Sequence, residues 1–380
     1  MFSRLYLHIP WCLAKCHYCA FNSRPLEPDR LDQTCALLIR EMELAAAAFP
    51  SHQSLSSLYL GGGTPSLLRP EQINRLIVRS RELFGHADTI EITLEANPGT
   101  VSAESLSGYF QSGVTRLSVG AQTFNDQTLQ ALGRIHTAAD IHAAFQWARQ
   151  IGFTSIGLDL ICGLPHQSTA DWQQNLSEAM VLQPDHLSIY GLTIEEGTPF
   201  ADRYPPGSTT LPDDDQSAAM LEEADYLLIA AGFEHYEISN FSRPGCRSEH
   251  NCGYWQRDGY LGIGPGAHSL LRQDWGVRWG NQTNYEQWAA SIQANTLASA
   301  GQQRLSRDDA LAETIFLGLR MADGIRFDFF SDVFGERLET RFAEEIRLLQ
   351  QAGLLHCTAD RISLTPRGML LSNQVFVKFL

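Results

Sequence analysis

Cys12-Leu-Ala-Lys-Cys16-His-Tyr-Cys19 puts three cysteines within eight residues, spaced C-x3-C-x2-C, with no fourth cysteine beside them. A cubane iron–sulfur cluster has four irons to ligate, so three thiolates leave one iron open to another ligand. A zinc ribbon needs two separated C-x2-C pairs, and the bacterial ferredoxin run leads on to a fourth cysteine. Three incidental thiols are the plain alternative, since free cysteine is usually a small buried hydrophobe. Lys15, His17 and Tyr18 make this loop too polar for a core. The spacing therefore favours a cluster loop, with Cys12, Cys16 and Cys19 as the metal ligands.

Outward from the loop, short β-rich runs alternate with segments of helical length. Strands are expected at Arg4–Ile9, Ser57–Leu60, Thr89–Leu94, Arg116–Gly120, Ser155–Leu160 and His186–Tyr190. Helices are expected at Pro28–Ala48, Pro70–Phe84, Ala103–Ser112, Ala138–Gln150, Thr169–Leu182 and Asp213–Ala231. Six successive βα units predict an α/β fold built on a parallel sheet with right-handed crossovers. Such a sheet either stays open or closes partway into a barrel. The singular residues favour a barrel mouth, because they fall where parallel strands end. The cysteine loop follows the first strand, Gly61-Gly62-Gly63-Thr64-Pro65 the second, and Glu95 closes the third. Gln122 follows the fourth, and Asp159 closes the fifth.

The glycine run lets backbone approach a ligand closely and offer N–H donors, although a tight turn reads the same way. Glu95 would be a costly charge facing inward without partners, and ribose hydroxyls or an ammonium group would supply them. Past Ala231 the alternation stops. Gly245–Trp288 is rich in glycine, aromatic and polar residues and reads as extended and loop structure. The end of the chain reads as helices Asp308–Met321 and Arg337–Ala352, a two-stranded wing over Leu354–Leu364, and Pro366–Phe379, an α+β winged-helix-like module. The division expected is 1–235 for the barrel, 236–300 for a connecting region and 301–380 for the winged module.

Net charge is −15, which opposes a grip on nucleic-acid phosphates. The winged module has six basic against five acidic residues over Glu336–Lys378, too balanced for a DNA reader, so protein contact or a lid is the better expectation. No apolar run reaches membrane-spanning length. Neither a signal peptide nor a disulfide framework is apparent, and thiolate ligands need reducing surroundings, so a cytoplasmic location is expected.

The cysteine triad resembles the signature of the radical S-adenosylmethionine (SAM) superfamily. That resemblance implies a six-unit partial, TIM-like barrel and a 4Fe–4S cluster whose fourth iron chelates the amino and carboxylate groups of SAM. Tyr6-Leu-His8-Ile-Pro10-Trp-Cys12, Gly61-Gly-Gly-Thr-Pro65, Ser118-Val-Gly-Ala-Gln122, Arg134 and Asp159-Leu-Ile-Cys-Gly-Leu-Pro165 narrow it to the oxygen-independent coproporphyrinogen III oxidase group. The match is close from Tyr6 to about Leu192 and looser through Gly264-Pro-Gly-Ala-His268. It implies that Tyr6, Gly62, Gly63, Thr64, Glu95, Gln122, Arg134 and Asp159 contact SAM.

Two features depart from the oxidase itself. Phe21 stands where the oxidase pattern has a further cysteine, and only eleven residues precede Cys12, where the oxidase has an extended segment. A third points elsewhere: His250-Asn251-Cys252-Gly253-Tyr254-Trp255 resembles the haem-binding H-N-x-x-Y-W string of the HemW haem chaperones. Histidine is a common axial haem ligand, and aromatic side chains stack on a macrocycle. His250, Asn251, Tyr254 and Trp255 are therefore the expected haem contacts, with Cys252 a rival axial or covalent attachment point. The expected function is haem chaperoning, with haem passed to acceptor proteins, by a chain that carries a 4Fe–4S cluster and SAM. The alternative is oxygen-independent coproporphyrinogen III oxidase, decarboxylating propionates through SAM cleavage. Peripheral membrane contact with respiratory partners and homodimerisation leave no trace in the sequence.

Overall fold

The computed structural model describes residues 1–50 and 53–380. At its centre six parallel strands lie side by side in chain order: β1 (Arg4–Ile9), β2 (Leu55–Gly62), β3 (His86–Ala96), β4 (Arg116–Gln122), β5 (Ser155–Cys162) and β6 (His186–Gly191). All six lie where the sequence placed them; β1 has the expected bounds and the other five run longer, β2 and β3 most of all. The helices between them are α1 (Arg30–Ala48), α2 (Pro70–Phe84), α3 (Ala103–Gln111), α4 (Ala138–Ile151), α5 (Thr169–Val181) and α6 (Asp214–Ala230). Several begin at polar caps. The hydroxyls of Ser102, Thr137 and Ser168 each accept the backbone N–H three residues on, satisfying donors that the first turn leaves free.

The ladder continues past both ends of this set. Beyond β6 lie the antiparallel β7 (Glu234–Glu237) and β8 (Asn240–Ser242), with β8 against β6. Beyond β1 comes β9 (Tyr260–Ile263), parallel to it, then β10 (His268–Leu271), β11 (Val277–Asn281) and β12 (Ser299–Arg304), all antiparallel. β1 pairs with β2 and β9, and β6 with β5 and β8, so among the described residues the barrel stays open.

Register sorts the strand residues into two faces. Leu5, Leu7, Leu58, Leu60, Leu94, Leu117, Leu158 and Leu187 form the outer face and are wholly buried in the main apolar core. The alternating positions are polar or small. They include Arg4, Tyr6 and His8 on β1, Tyr59 on β2, Glu91 and Glu95 on β3, Ser118 on β4, Asp159 on β5 and Ser188 on β6. A parallel sheet covered on both faces reads as unbroken apolar runs. Here one face packs on helices and the other encloses polar contents.

Gly245–Trp288 is extended over β9, β10 and β11, as expected, but departs from that expectation elsewhere. It holds two helices, α7 (Glu249–Trp255) and α8 (Tyr285–Gln293). A helix as short as α7 is marginal alone, and its support is tertiary. The Ser248 hydroxyl caps it by accepting the Asn251 N–H, and the Glu91 carboxylate accepts the N–H groups of Glu249 and His250, both at 3.0 Å. α7 thus plugs the amino-terminal end of the barrel.

Towards the carboxyl terminus a second apolar core gathers residues from Ala310 to Phe379. The wing is present as Leu355–Cys357 paired antiparallel with Arg361–Leu364, to which Ile325–Arg326 adds a third strand. A helix over Phe327–Phe334 joins the expected ones, and the expected helix Arg337–Ala352 is broken at Phe342 into Leu338–Arg341 and Ala343–Gln351. This part meets the sheet where the Ile238 N–H donates to the Arg320 carbonyl. Among the described residues no helix is long and apolar enough to cross a membrane.

Candidate functional site

β1 ends at Ile9, and the chain leaves the sheet into the cysteine loop. The loop is closed at its base by Trp11–Cys12 pairing with Arg24–Pro25, and the Leu26 N–H donates to the Cys12 carbonyl. Farther out, the His17 N–H donates to the Leu132 carbonyl and its Nδ1 bonds the Ala131 carbonyl, tying the loop to the segment after β4. Cys12 is buried, Cys16 and Cys19 are half-buried, and all three are free. They line one cavity of about 390 Å3 that reaches from the carboxyl ends of the strands down to Arg116, His186 and Asn251.

Among the described residues, no three His, Cys, Asp or Glu side chains converge tightly enough to hold one metal ion. In a cubane each thiolate binds its own iron. Arg134 suits an anionic occupant. One of its terminal N–H groups donates to the Cys16 sulfur at 3.4 Å, another to the Gly120 carbonyl at 2.7 Å, and its buried Nε has no acceptor among the described residues. Burial pushes the Cys12 and Cys19 thiols up from their ordinary range, so ligation would release protons. The donor set fits a three-cysteine cluster.

The strand ends supply the rest of the wall. Gly62 has φ +115°, and a Cβ there would lie 2.7 Å from the His8 ring. One on Gly63 would lie 2.6 Å from the Trp11 carbonyl oxygen and 3.0 Å from the Cys12 sulfur. These glycines are required by close approach, beyond the needs of a turn. Thr64, Gln122 and Asp159 line the same cavity. The Ser118 hydroxyl lies 3.1–3.2 Å from the two Asp159 carboxylate oxygens. Gln122 sits at φ +67°, a strained position for a side chain of its kind and a pattern concentrated at functional sites. Arg116, His186, Ser188 and Tyr190 also line this cavity and were missed from sequence; their signal was the inward alternation along β4 and β6.

Glu95 receives the Tyr59 hydroxyl at 2.9 Å and the Gly62 N–H at 3.1 Å. Burial, above all, pushes its carboxyl up to about 7. The folded chain therefore holds a proton that the unfolded chain releases above 4.5, and this group's contribution to stability falls as pH rises from 4.5 to about 7. Comparing wild type with Glu95→Gln by chemical denaturation isolates it. The wild type should lose on the order of 2–3 kcal/mol relative to the variant between about pH 4.5 and about pH 8. A difference independent of pH would refute the raised carboxyl.

Phe21, Gly62 and Glu95 also line a second cavity, of about 500 Å3, so the two adjoin. α7 contributes to both, Asn251 to the cysteine cavity and Tyr254 and Trp255 to the second. Tyr6 faces the second cavity as well, where its hydroxyl bonds His8 Nδ1 at 3.0 Å, rather than the cysteine cavity with the other expected SAM contacts. His250 lines neither. It is 1% exposed, with Nδ1 bonded to the Ser57 hydroxyl at 2.8 Å and Nε2 to the Tyr254 hydroxyl at 2.9 Å. Burial pushes its imidazole down to about 3, so it is neutral at physiological pH. The expected axial ligand thus has both nitrogens engaged as folded, because the motif helix is seated in the barrel floor. Cys252 is buried beside Tyr236 and Met321.

Comparison with known proteins agrees with this architecture. The Radical SAM superfamily model matches residues 6–179, and the HemN C-terminal domain model matches 305–371. Heme chaperone HemW of Bacillus subtilis is 35% identical over 376 residues, covering 99% of this chain and 98% of that protein. Heme chaperone HemW of Escherichia coli is 41% identical over 268 residues, 70% of each. Among solved structures, the radical SAM enzyme coproporphyrinogen III oxidase (HemN) of Escherichia coli superposes with a TM-score of 0.86 at 26% identity, over 100% of this chain and 90% of that one. With a HemW relative 35% identical over 99% of this chain and the Radical SAM superfamily model matching residues 6–179, the chain belongs to the HemW haem chaperone family of the radical SAM superfamily.

Proposed function

We propose that the chain holds one 4Fe–4S cluster on Cys12, Cys16 and Cys19, takes SAM at the cluster's open corner, and carries haem in the second cavity for delivery to acceptor proteins. The observation that carries this reading is that a cavity holding all three thiols adjoins a second one, lined by Tyr254 and Trp255 of the motif helix, through Phe21, Gly62 and Glu95. When bound, the cluster supplies a Lewis-acidic iron and an electron relay for SAM. The chain's own residues do the rest. Arg134 offsets charge beside the Cys16 sulfur. Gly62 and Gly63 keep side-chain bulk out of the approach. Glu95, Gln122 and Asp159 offer acceptors to ammonium or ribose groups. Tyr254 and Trp255 present aromatic faces to a macrocycle. His250 holds the Tyr254 hydroxyl in place.

In this reading residues 1–235 serve the cluster and SAM, 236–300 serve haem, and 301–380 meet the acceptor or act as a lid. The test is anaerobic reconstitution with iron and sulfide followed by haemin titration. The expected results are a cubane absorption spectrum perturbed by SAM, one haem per chain, and transfer of that haem to an apo haem protein. Zinc or no sulfide in the product, or no haem uptake, would refute it. The second reading, oxygen-independent coproporphyrinogen III oxidase, draws on the structural likeness to the Escherichia coli enzyme. Protoporphyrinogen and methionine formed anaerobically from coproporphyrinogen and SAM would establish it instead.

A further inference from the structure

We infer that His268 is the side chain that ligates haem iron in the second cavity, an assignment that rests on the haem-carrying reading above. Two imidazoles line this cavity, His8 and His268, while His250 bonds the hydroxyl of its lining residue Tyr254. Iron needs an imidazole nitrogen with a free lone pair. His8 is buried, and its nitrogens are engaged by the Tyr6 hydroxyl at 3.0 Å and the Asn22 carbonyl at 2.8 Å. Both nitrogens of His250 are engaged as well. His268 is exposed to the cavity, and among the described residues nothing bonds its ring.

The fold makes a seat for this ring. His268 opens β10 and pairs with Gly280 of β11. A Cβ on Gly280 would come within 3.0–3.5 Å of three atoms of the imidazole, so the ring lies over bare backbone. Leu270, Tyr254, Trp255 and Tyr260 complete walls suited to a flat apolar macrocycle. Haem also brings two propionates. On the same face as His268, Arg278 bonds Glu313 at 2.7 Å, and Arg257 bonds the same carboxylate at 2.9 Å. Arg278 lines the cavity and is 35% exposed; because it shares the Glu313 carboxylate with Arg257, its guanidinium keeps charge for one propionate, while Glu95 is the one carboxylate on the lining among the described residues. The seat is braced from behind. The Glu41 carboxylate accepts the Gly264 N–H and the Asn281 side-chain N–H at 2.7 Å, and the Trp288 indole N–H at 2.9 Å, which fixes the turn before His268 and the end of β11. Ligation then needs only that the imidazole lone pair replace solvent on iron; no covalent bond breaks.

The test uses the full-length chain, haemin and three variants, read by absorption and electron paramagnetic resonance. His268→Gly should weaken haemin binding at least about tenfold, since losing even an outer partner of a metal ligand costs about 10- to 100-fold. Free imidazole should restore the wild-type spectrum in that variant. His268→Met should still bind haemin but with a thioether in place of the histidine signature. His250→Ala should keep the histidine signature at lower affinity, having lost only the hold on Tyr254. If His268→Gly keeps wild-type affinity and spectrum, or if His250→Ala alone loses the histidine signature, the assignment fails while haem carriage stands. If the wild type takes up no haemin, both fall.

Discussion

Gly63→Ala will leave a protein that retains all three cysteines and cannot hold a cluster. The added methyl would stand 2.6 Å from the Trp11 carbonyl oxygen and 3.0 Å from the Cys12 sulfur. Neither side yields easily. The Gly63 N–H is tied to the Ile9 carbonyl at 2.7 Å, and the Trp11 indole is fully buried with its N–H on the Thr34 hydroxyl at 2.8 Å. Overpacking of this kind costs about 1–3 kcal/mol, which a chain of this size survives. The relief lies in displacing Trp11–Cys12, and with it the first ligand. Iron and acid-labile sulfide after anaerobic reconstitution should fall to near background while circular dichroism stays that of a folded chain. Gly113→Ala is the control. Its φ of +99° imposes strain, but nothing lies within 4 Å of the new Cβ, so stability should fall and the cluster should stay. Wild-type iron and sulfide in Gly63→Ala would mean that the glycine loop does not set the position of Cys12.

The residues that carried their own signal were legible. Cys12, Cys16, Cys19, Gly62, Gly63, Thr64, Glu95, Gln122, Arg134 and Asp159 all line one cavity, because all but Arg134 sit at the carboxyl end of a parallel strand or in the loop after it, and Arg134 comes from past the helix Asp126–Ala131. The polar inner face was also there to be read. Leu-Tyr-Leu-His on β1 and Ile-Thr-Leu-Glu on β3 alternate strictly, which an ordinary doubly covered parallel strand does not. What escaped was set by tertiary contact. α7 has too few residues for a periodic pattern, and its first N–H groups are satisfied by Glu91, far away in sequence. Tyr6 looked like its neighbours on the barrel mouth, and only the addition of β9 and β10 beside β1 creates the cavity it faces. His250 looked like a free ligand because nothing in a string of six residues reveals that Ser57 and Tyr254 claim its two nitrogens.

The second large effect concerns that string. Gly253→Ala should unseat α7, because a Cβ at this position would fall 1.6 Å from Arg4 Nε and 2.1 Å from its Cζ. A surface arginine would swing aside, but Arg4 is only 5% exposed. Its guanidinium bonds the Asp258 carboxylate at 2.9 Å, the Ser57 hydroxyl at 3.3 Å and the Glu249 carbonyl, so any movement breaks several bonds at once. Breaking a buried charge pair costs about 3–5 kcal/mol. Asp258 is 27% exposed and keeps Arg272 at 3.5 Å, which puts the expected loss near the lower end, about 3 kcal/mol by chemical denaturation. A double-mutant cycle separates this clash from a general intolerance of alanine in the helix. Arg4→Ala should itself cost about 3 kcal/mol, yet it removes the atoms that Gly253→Ala would strike, so the double variant should be no less stable than either single one. Haemin affinity should fall in all three, since Tyr254 and Trp255 ride on the same seven residues. Strictly additive losses would show that the flat contact between Gly253 and Arg4 is not what seats the helix, and would move the reason for the glycine to the helix's own backbone.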